Sequence, residues 1–233
     1  TSRHLKGYGK VGASTTGNSA YNTTQNPYAS SGTSVPQKRT IAFWVNPGNP
    51  SSDFFQYIYM EQFGGGAAIA IALRRSGQTG MYIQINEWDG TNFEATHSPN
   101  NQIPPSTWTH VVVGLDGGNT GTTNAGTKNA TISVNGQTQT LNPFNAGAVT
   151  GNTNLSLSNV AFQATSGSSA ISGLENMEID EFTIFEGAVA TSPYPNTAQF
   201  ITDLYNSASY VDPTTISLPT GVTLKRYLKI GED

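Results

Sequence analysis

The sequence predicts an all-β protein, a sandwich or barrel of antiparallel strands. Three observations carry this prediction. Charged residues make up 11% of the chain, too few to clothe long helices, whose exposed faces draw on Glu, Lys and Arg. Turn formers are dense, with 25 Gly and 12 Pro among abundant Asn, Ser and Thr. Short runs of alternating apolar and polar residues, rich in aromatic and β-branched side chains, recur between these turns. A chain of 233 residues has room for one large β-domain and a full core, burying roughly 70% of its unfolded surface.

The elements follow in order. Leu5 to Val11 reads as a short strand. Gly12 to Lys38 is small and polar, anchored by Tyr21 and Tyr28, and reads as a long loop or extended arm. Residues 1–39 are therefore taken as an N-terminal strand and arm, and 40–233 as the folded module of a single domain. Thr40 to Asn46 is the first clear strand, with Ile41, Phe43 and Val45 on one face and Ala42 and Trp44 on the other. Gln56 to Gln62 and Ala67 to Leu73 pair across Gly64-Gly65-Gly66. Met81 to Trp88 alternates, sending Met81, Ile83 and Ile85 inward and Tyr82, Gln84, Asn86 and Trp88 outward. Asp89-Gly90 then turns the chain into a return strand over Thr91 to Thr96. Thr107 to Asp116 is a strand. Asn129 to Val134 runs into Asn135-Gly136, a type I′ hairpin signal, and returns over Gln137 to Leu141. Leu155 to Gln163 is a strand. Asn196 is the expected N-cap of one short helix, with Phe200, Ile201, Leu204 and Tyr205 on its apolar face. Leu224 to Ile230 is the closing strand.

Composition excludes several function classes. A net charge of −4 without a basic run argues against a nucleic-acid partner. No stretch of ~18 apolar residues is present to span a membrane as a helix. The start does not read as a signal peptide, and an opening Thr1 in place of Met suggests processing or a trimmed chain. With 0 Cys, disulfides, thiol catalysis and Cys-ligated zinc are excluded. His4, His97 and His110 lack ligand spacing and read as structural or surface residues. The Gly runs lack the Lys and following helix of a phosphate loop.

Asn176 to Ala190 is the strand with chemistry in it. Simple alternation puts Asp180 on one face with Phe182 and Ile184, and Glu181 on the other. A carboxylate on an apolar face demands a partner, a hydrogen bond or a metal. A second candidate site is aromatic. Trp44, Tyr82, Gln84, Asn86 and Trp88 lie on non-core faces of strands expected to be sheet neighbours. Rings stack on the apolar faces of sugars and amides bond their hydroxyls. The same rings would equally serve to pack under the arm or at a subunit interface. Trp108 is expected in the core.

Taken in order, Ile41-Ala42-Phe43-Trp44-Val45, Trp108-Thr109-His110-Val111, Ile132-Ser133-Val134-Asn135-Gly136, Ile179-Asp180-Glu181-Phe182-Thr183-Ile184-Phe185 and Asp203-Leu204-Tyr205-Asn206 form a series. It resembles the laminin-G-like, concanavalin A-like lectin/glucanase superfamily. The ending Leu224 to Asp233 is similar to the tail of phage virion proteins that carry this module. The resemblance implies a two-sheet antiparallel jelly-roll with one concave sheet, and the short helix near the C-terminus fits it. It also implies calcium as a cofactor, with Asp180 as the first candidate ligand and Asp53, Asp89 and Asp116 as the other carboxylates near loop ends.

One glucanase branch of the superfamily carries E-x-D-x-E on a cleft strand. Here Glu178 and Asp180 match the first half, but the third acid is replaced by Phe182, or by Thr183 in a bulged variant. The chain is therefore expected to be no enzyme. The expected function is a non-enzymatic binding or structural module on a virion or cell exterior, of the phage decoration or tail-fibre type. Its expected partners are a surface glycan or other virion, capsid or fibre subunits, in a homo-oligomer or larger assembly. The alternative is an extracellular glycan-processing enzyme using Glu178 and Asp180.

Overall fold

The computed structural model describes residues 21–23, 38–49, 53–63, 67–77, 80–116, 130–144, 149, 157–162, 178–187, 197–209 and 211–228. The strand expected at Leu5 to Val11, most of the arm, the turn at Gly64 to Gly66 and the N-cap Asn196 lie outside the described residues. The strands are β1 (Tyr21–Thr23), β2 (Lys38–Asn46), β3 (Asp53–Phe63), β4 (Ala67–Ser76), β5 (Tyr82–Asp89), β6 (Phe93–His97) and β7 (Thr109–Asp116). They continue as β8 (Thr131–Val134), β9 (Gln137–Thr138), β10 (Asn142–Phe144), β11 (Leu157–Phe162), β12 (Glu178–Glu186) and β13 (Thr223–Leu228). Helix α1 (Thr197–Tyr205) stands between β12 and β13.

Two antiparallel sheets form. One has seven strands in the order β1-β11-β3-β4-β5-β6-β10, the other six in the order β13-β12-β2-β7-β8-β9. The expected two-sheet sandwich with one short helix is what the chain builds. β1 lies within the stretch read as an arm, and it pairs with β11 from Tyr21 opposite Phe162 to Thr23 opposite Val160. The return strand after Asn135-Gly136 is shorter than expected, because the chain leaves after Thr138 and crosses to the other sheet as β10.

Alternation explains the core. Ile41, Phe43 and Val45 of β2, Val111 and Val113 of β7, and Ile179 of β12 face Ile69, Ile71 and Leu73 of β4 and Ile83 and Ile85 of β5. Phe182 stacks on Phe43 at 5.8 Å and leans on Tyr59 at 5.7 Å, tying the sheets at their centre. Trp108 is half-buried, at the entry to β7, rather than in the core.

Among the described residues, an ionic contact runs between the sheets. Arg39 of β2 donates to Glu61 of β3 through Nε (2.9 Å) and Nη2 (2.6 Å), and both side chains are 0% exposed. The Tyr59 hydroxyl donates to the same carboxylate at 2.8 Å. A buried pair survives desolvation only with this kind of multidentate geometry.

The outer face of the six-stranded sheet is closed by α1. Phe200, Ile201 and Leu204 bury against Ala42, Val112, Phe185 and Val222. Phe185 meets Phe200 edge-on at 5.2 Å. This is the apolar face expected from the helical spacing.

Candidate functional site

The outer face of the seven-stranded sheet is set by β3, β4, β5 and β6. On β4 it carries only Ala68, Ala70 and Ala72 before Arg74, because Ile69, Ile71 and Leu73 point into the core. That low floor lets larger neighbours lean over it. Phe55 meets Tyr57 edge-on at 4.9 Å, Tyr57 meets Trp88 at 6.2 Å, and Trp88 meets Phe93 at 5.2 Å. The four rings make one ladder from β3 across to β6. Tyr57 packs with Met60, Ala70 and Ala72, with Phe55 and Trp88 at the margin. Phe55, Trp88 and Phe93 are half-buried, so they present ring surface to solvent.

A polar chain runs beside the ladder. Arg74 Nη1 donates to Gln84 Oε1 at 3.0 Å, and Gln84 Nε2 donates to Asn86 Oδ1 at 2.6 Å. Asn86 in turn bonds the Tyr57 hydroxyl. Burial pushes the Tyr57 hydroxyl up to about 12, and the Asn86 bond pulls it part of the way back, so Tyr57 stays protonated. Burial also raises Tyr82, against the pull of the Arg74 charge. Tyr82 packs on the His97 ring at 4.8 Å. Gln84 and Asn86 are each 1% exposed. They position the rings around them and do not reach the surface themselves.

This places four of the five sequence-predicted residues together: Tyr82, Gln84, Asn86 and Trp88. Trp44 is not among them. It lies on β2 of the six-stranded sheet, opposite His110 of β7 and Asp180 of β12. Alternation told which way Trp44 points but not which sheet it belongs to. Its ring meets His110 at 5.0 Å and Tyr205, the last residue of α1, at 5.9 Å. His110 is also stacked by Tyr205 at 6.1 Å, and burial lowers it to about 3, so it is neutral and packed. Asn135 (φ 48°) and Gly136 (φ 76°) make the expected I′ turn, and Asn135 Oδ1 accepts the His110 backbone N–H at 2.9 Å. A side chain on Gly136 would come within 3.0 Å of the Tyr205 ring. The motif residues Trp44, His110, Asn135-Gly136 and Tyr205 thus converge on one packed corner. There the three rings pack on one another.

Residues absent from the sequence-based site are Phe55, Tyr57, Phe93, Arg74 and His97. Phe55 and Tyr57 alternate within one strand, and Phe93 sits opposite Trp88 across a readable hairpin. Those two signals could have found three of them.

The carboxylates of β12 are elsewhere. Simple alternation fails at Glu181, which has φ 52° and forms a bulge between Asp180 and Thr183. Phe182 and Ile184 therefore face the core, while Asp180 turns to the outer face with Thr183 and Phe185. This corrects the expectation that Asp180 shares an apolar face with Phe182. Asp180 Oδ1 accepts the Glu181 backbone N–H at 2.8 Å, and Glu181 takes the Tyr227 hydroxyl on its carboxylate. Glu178 accepts from Asn46 Nδ2 at 3.0 Å. With the bulge, Thr183 occupies the third position of the E-x-D series, and it is 2% exposed.

The calcium expectation centred on Asp180, whose Oδ1 accepts the Glu181 backbone N–H. Among the described residues, no group of three or more His, Cys, Asp or Glu side chains converges to hold a metal ion. Asp89 caps its own turn, accepting from the Thr91 and Asn92 backbone N–H at 2.9 and 2.7 Å. The Asp53 and Asp116 side chains lie outside the described residues.

The family model described as "Concanavalin A-like lectin/glucanases superfamily" matches residues 16–192. No curated protein sequence matches the chain. Among solved structures, the chain is similar to tailspike protein 2 of Escherichia coli O157:H7 bacteriophage CAB120. There the identity is 17% and the TM-score 0.50, over 86% of this chain and 24% of that one. It is similar to domains LG4-5 of the mouse laminin alpha1 chain, with 12% identity and a TM-score of 0.44 over 66% of this chain and 37% of that one. It is similar to a structure of botulinum neurotoxin type C, whose cell entry depends on interaction with two ganglioside molecules. That match has 16% identity and a TM-score of 0.48, over 76% of this chain. The chain spans 37% of the neurotoxin structure's length. At these identities the likeness is one of fold. No helix among the described residues is long and apolar enough to cross a membrane.

Proposed function

We infer the function from one premise: this chain belongs to the concanavalin A-like lectin/glucanases superfamily. Within it, the chain is a non-enzymatic binding and structural module of a virion or cell exterior, and it holds a glycan on the outer face of its seven-stranded sheet. The observation that carries this is the ring ladder Phe55–Tyr57–Trp88–Phe93, with Phe55, Trp88 and Phe93 half-exposed beside a fixed polar chain. Stacking on the C–H face of a sugar needs flat, rigid, partly exposed rings, and these are held by one another. Helix α1 packs on the outer face of the other sheet, which supports this face as the platform.

The carboxylates of β12 support a non-catalytic role. Glycoside hydrolysis needs two carboxyl groups flanking one bond. Glu178 is held by Asn46, Asp180 by the bulge, and Thr183 stands where the acid of the E-x-D series would be. The virion setting, of the decoration or tail-fibre type, rests on the resemblance of the Leu224 to Asp233 ending. As such a module the chain would sit in a homo-oligomer or larger assembly.

The test is a screen of the full chain against immobilised neutral and acidic glycans, with Trp88→Ala in parallel. The expected result is retention of at least one glycan class by the parent and its loss in the variant, with no release of free sugar over time. Equal retention by both proteins, or sugar release, would overturn the reading.

A further inference from the structure

The half-buried rings of the outer face fall into two groups with a buried ring between them. Tyr57 is 5% exposed, so it offers little stacking surface of its own. Phe55 stands edge-on to it at 4.9 Å and 85°, and Trp88 at 6.2 Å and 74°. Phe93 backs Trp88 at 5.2 Å. Tyr57 is a fixed spacer: Asn86 bonds its hydroxyl, and its ring packs with Met60, Ala70 and Ala72. It holds Phe55 and Trp88 apart as two separate stacking points.

The register shows how far apart their roots are. Phe55 lies opposite Arg74 of β4, and Trp88 opposite Ala68. Those two β4 positions are separated by about 20 Å of strand at ~3.3 Å per residue. On β4 the floor between them is Ala70 and Ala72, so that strand raises no obstacle. A single pyranose covers about one aromatic ring and stacks on Phe55 or on Trp88, not on both. A chain of linked sugars reaches both. The ladder's steps of 4.9, 6.2 and 5.2 Å are each near one strand spacing, and near the advance of one sugar along an extended chain. Equatorial linkages, such as β-1,4, keep successive sugars in line. An α-1,4-linked chain coils and leaves the line of the ladder.

We propose that this face takes an internal stretch of an extended, equatorially linked glycan, with one sugar stacked on Phe55 and another on Trp88. This rests on the reading of the face as a glycan platform and adds the linkage class and the second contact point.

The experiment is titration calorimetry of the full chain with the disaccharide and hexasaccharide of four β-1,4 series: cello-, xylo-, manno- and chito-oligosaccharides. Maltose and maltohexaose are the coiled control. The expected result is that in at least one β-1,4 series the hexasaccharide binds about tenfold or more tighter than the disaccharide, because a second stack is added to the first. A longer chain also gains a modest statistical factor from its several binding registers, so Phe55→Ala is decisive. It brings the hexasaccharide down to the level of the disaccharide on the parent, apart from that factor. Phe55→Trp keeps the gain and controls for a folding defect. Equal binding of both lengths, still lost in Trp88→Ala, would overturn the extended-chain assignment and leave the platform standing. A length gain that survives Phe55→Ala would overturn Phe55 as the second contact. An equal gain in the maltose series would overturn the linkage class. No binding of any hexasaccharide would overturn the proposal, and the immobilised-glycan screen then decides the platform separately.

Discussion

Cutting the ion pair between the sheets is the sharpest test of what holds the sandwich together. Glu61→Ala leaves the Arg39 guanidinium buried without the carboxylate that takes its Nε and Nη2 at 2.9 and 2.6 Å. Both side chains are fully enclosed, so water cannot replace the lost partner. Removing one member of such a pair costs about 3–5 kcal/mol. The Tyr59 hydroxyl also loses its acceptor, which adds about 1 kcal/mol. For a domain of this size, a loss near 4 kcal/mol lowers Tm by about 10 °C. Arg39→Met should cost a similar amount, because it strands the carboxylate instead. The double variant Arg39→Met/Glu61→Leu should be much less damaged than the sum of the singles, with a coupling of about 2 kcal/mol or more. Urea unfolding of the four proteins gives each value. A single-variant loss below about 1 kcal/mol, or fully additive losses in the double variant, would refute the reasoning.

Three further outcomes are expected. His110 is neutral in the fold, at about 3 against an ordinary 6.5, so the unfolded chain binds the extra proton. Stability should therefore fall as pH drops below about 6.5, by about 2 kcal/mol at pH 5, and His110→Phe should flatten that slope in urea midpoints taken from pH 7.5 to 5. Asp180→Ala removes the acceptor of the Glu181 backbone N–H and should cost about 1 kcal/mol in thermal unfolding, with no change in sugar release from any glycan. Asn135→Ala loses both a residue suited to φ 48° and the acceptor of the His110 N–H, and should cost about 2 kcal/mol in the same assay, with His110→Phe and Asn135→Ala non-additive because they share a corner.

Much of the fold was legible in the sequence, because strands that bury one face must alternate. Ile41, Phe43 and Val45 announced their face, as did Ile83 and Ile85, and all five sit in the core. The Asn135-Gly136 turn was legible because both residues tolerate left-handed backbone. Sheet membership was not, since Trp44 and Trp88 show the same outward pattern while lying on different sheets. The β12 bulge was not legible either, because Glu181 is neither Gly nor Asn and gives no sign of its positive φ. That one residue turned Asp180 to the outer face and left Phe182 in the core. Arg39 and Glu61 look like ordinary strand charges, 22 residues apart. Only the packing of two sheets makes them a pair. The site was half legible: the β5 residues were found, and the β3 and β6 rings that complete the ladder were missed because their register with β5 depends on pairings across β4 and a hairpin.

On the proposed glycan platform the ring that meets the sugar is Trp88, not Trp44. The direct measurement is calorimetric affinity for a glycan retained by the parent, compared across Trp88→Ala and Trp44→Phe. Trp88→Ala should weaken binding about tenfold or more while keeping the unfolding free energy within about 1 kcal/mol of the parent's. Trp44→Phe should loosen the His110 and Tyr205 corner, lowering Tm, and leave affinity unchanged below that Tm. Parent-like affinity in Trp88→Ala, or a loss of affinity in a well-folded Trp44→Phe, would contradict it.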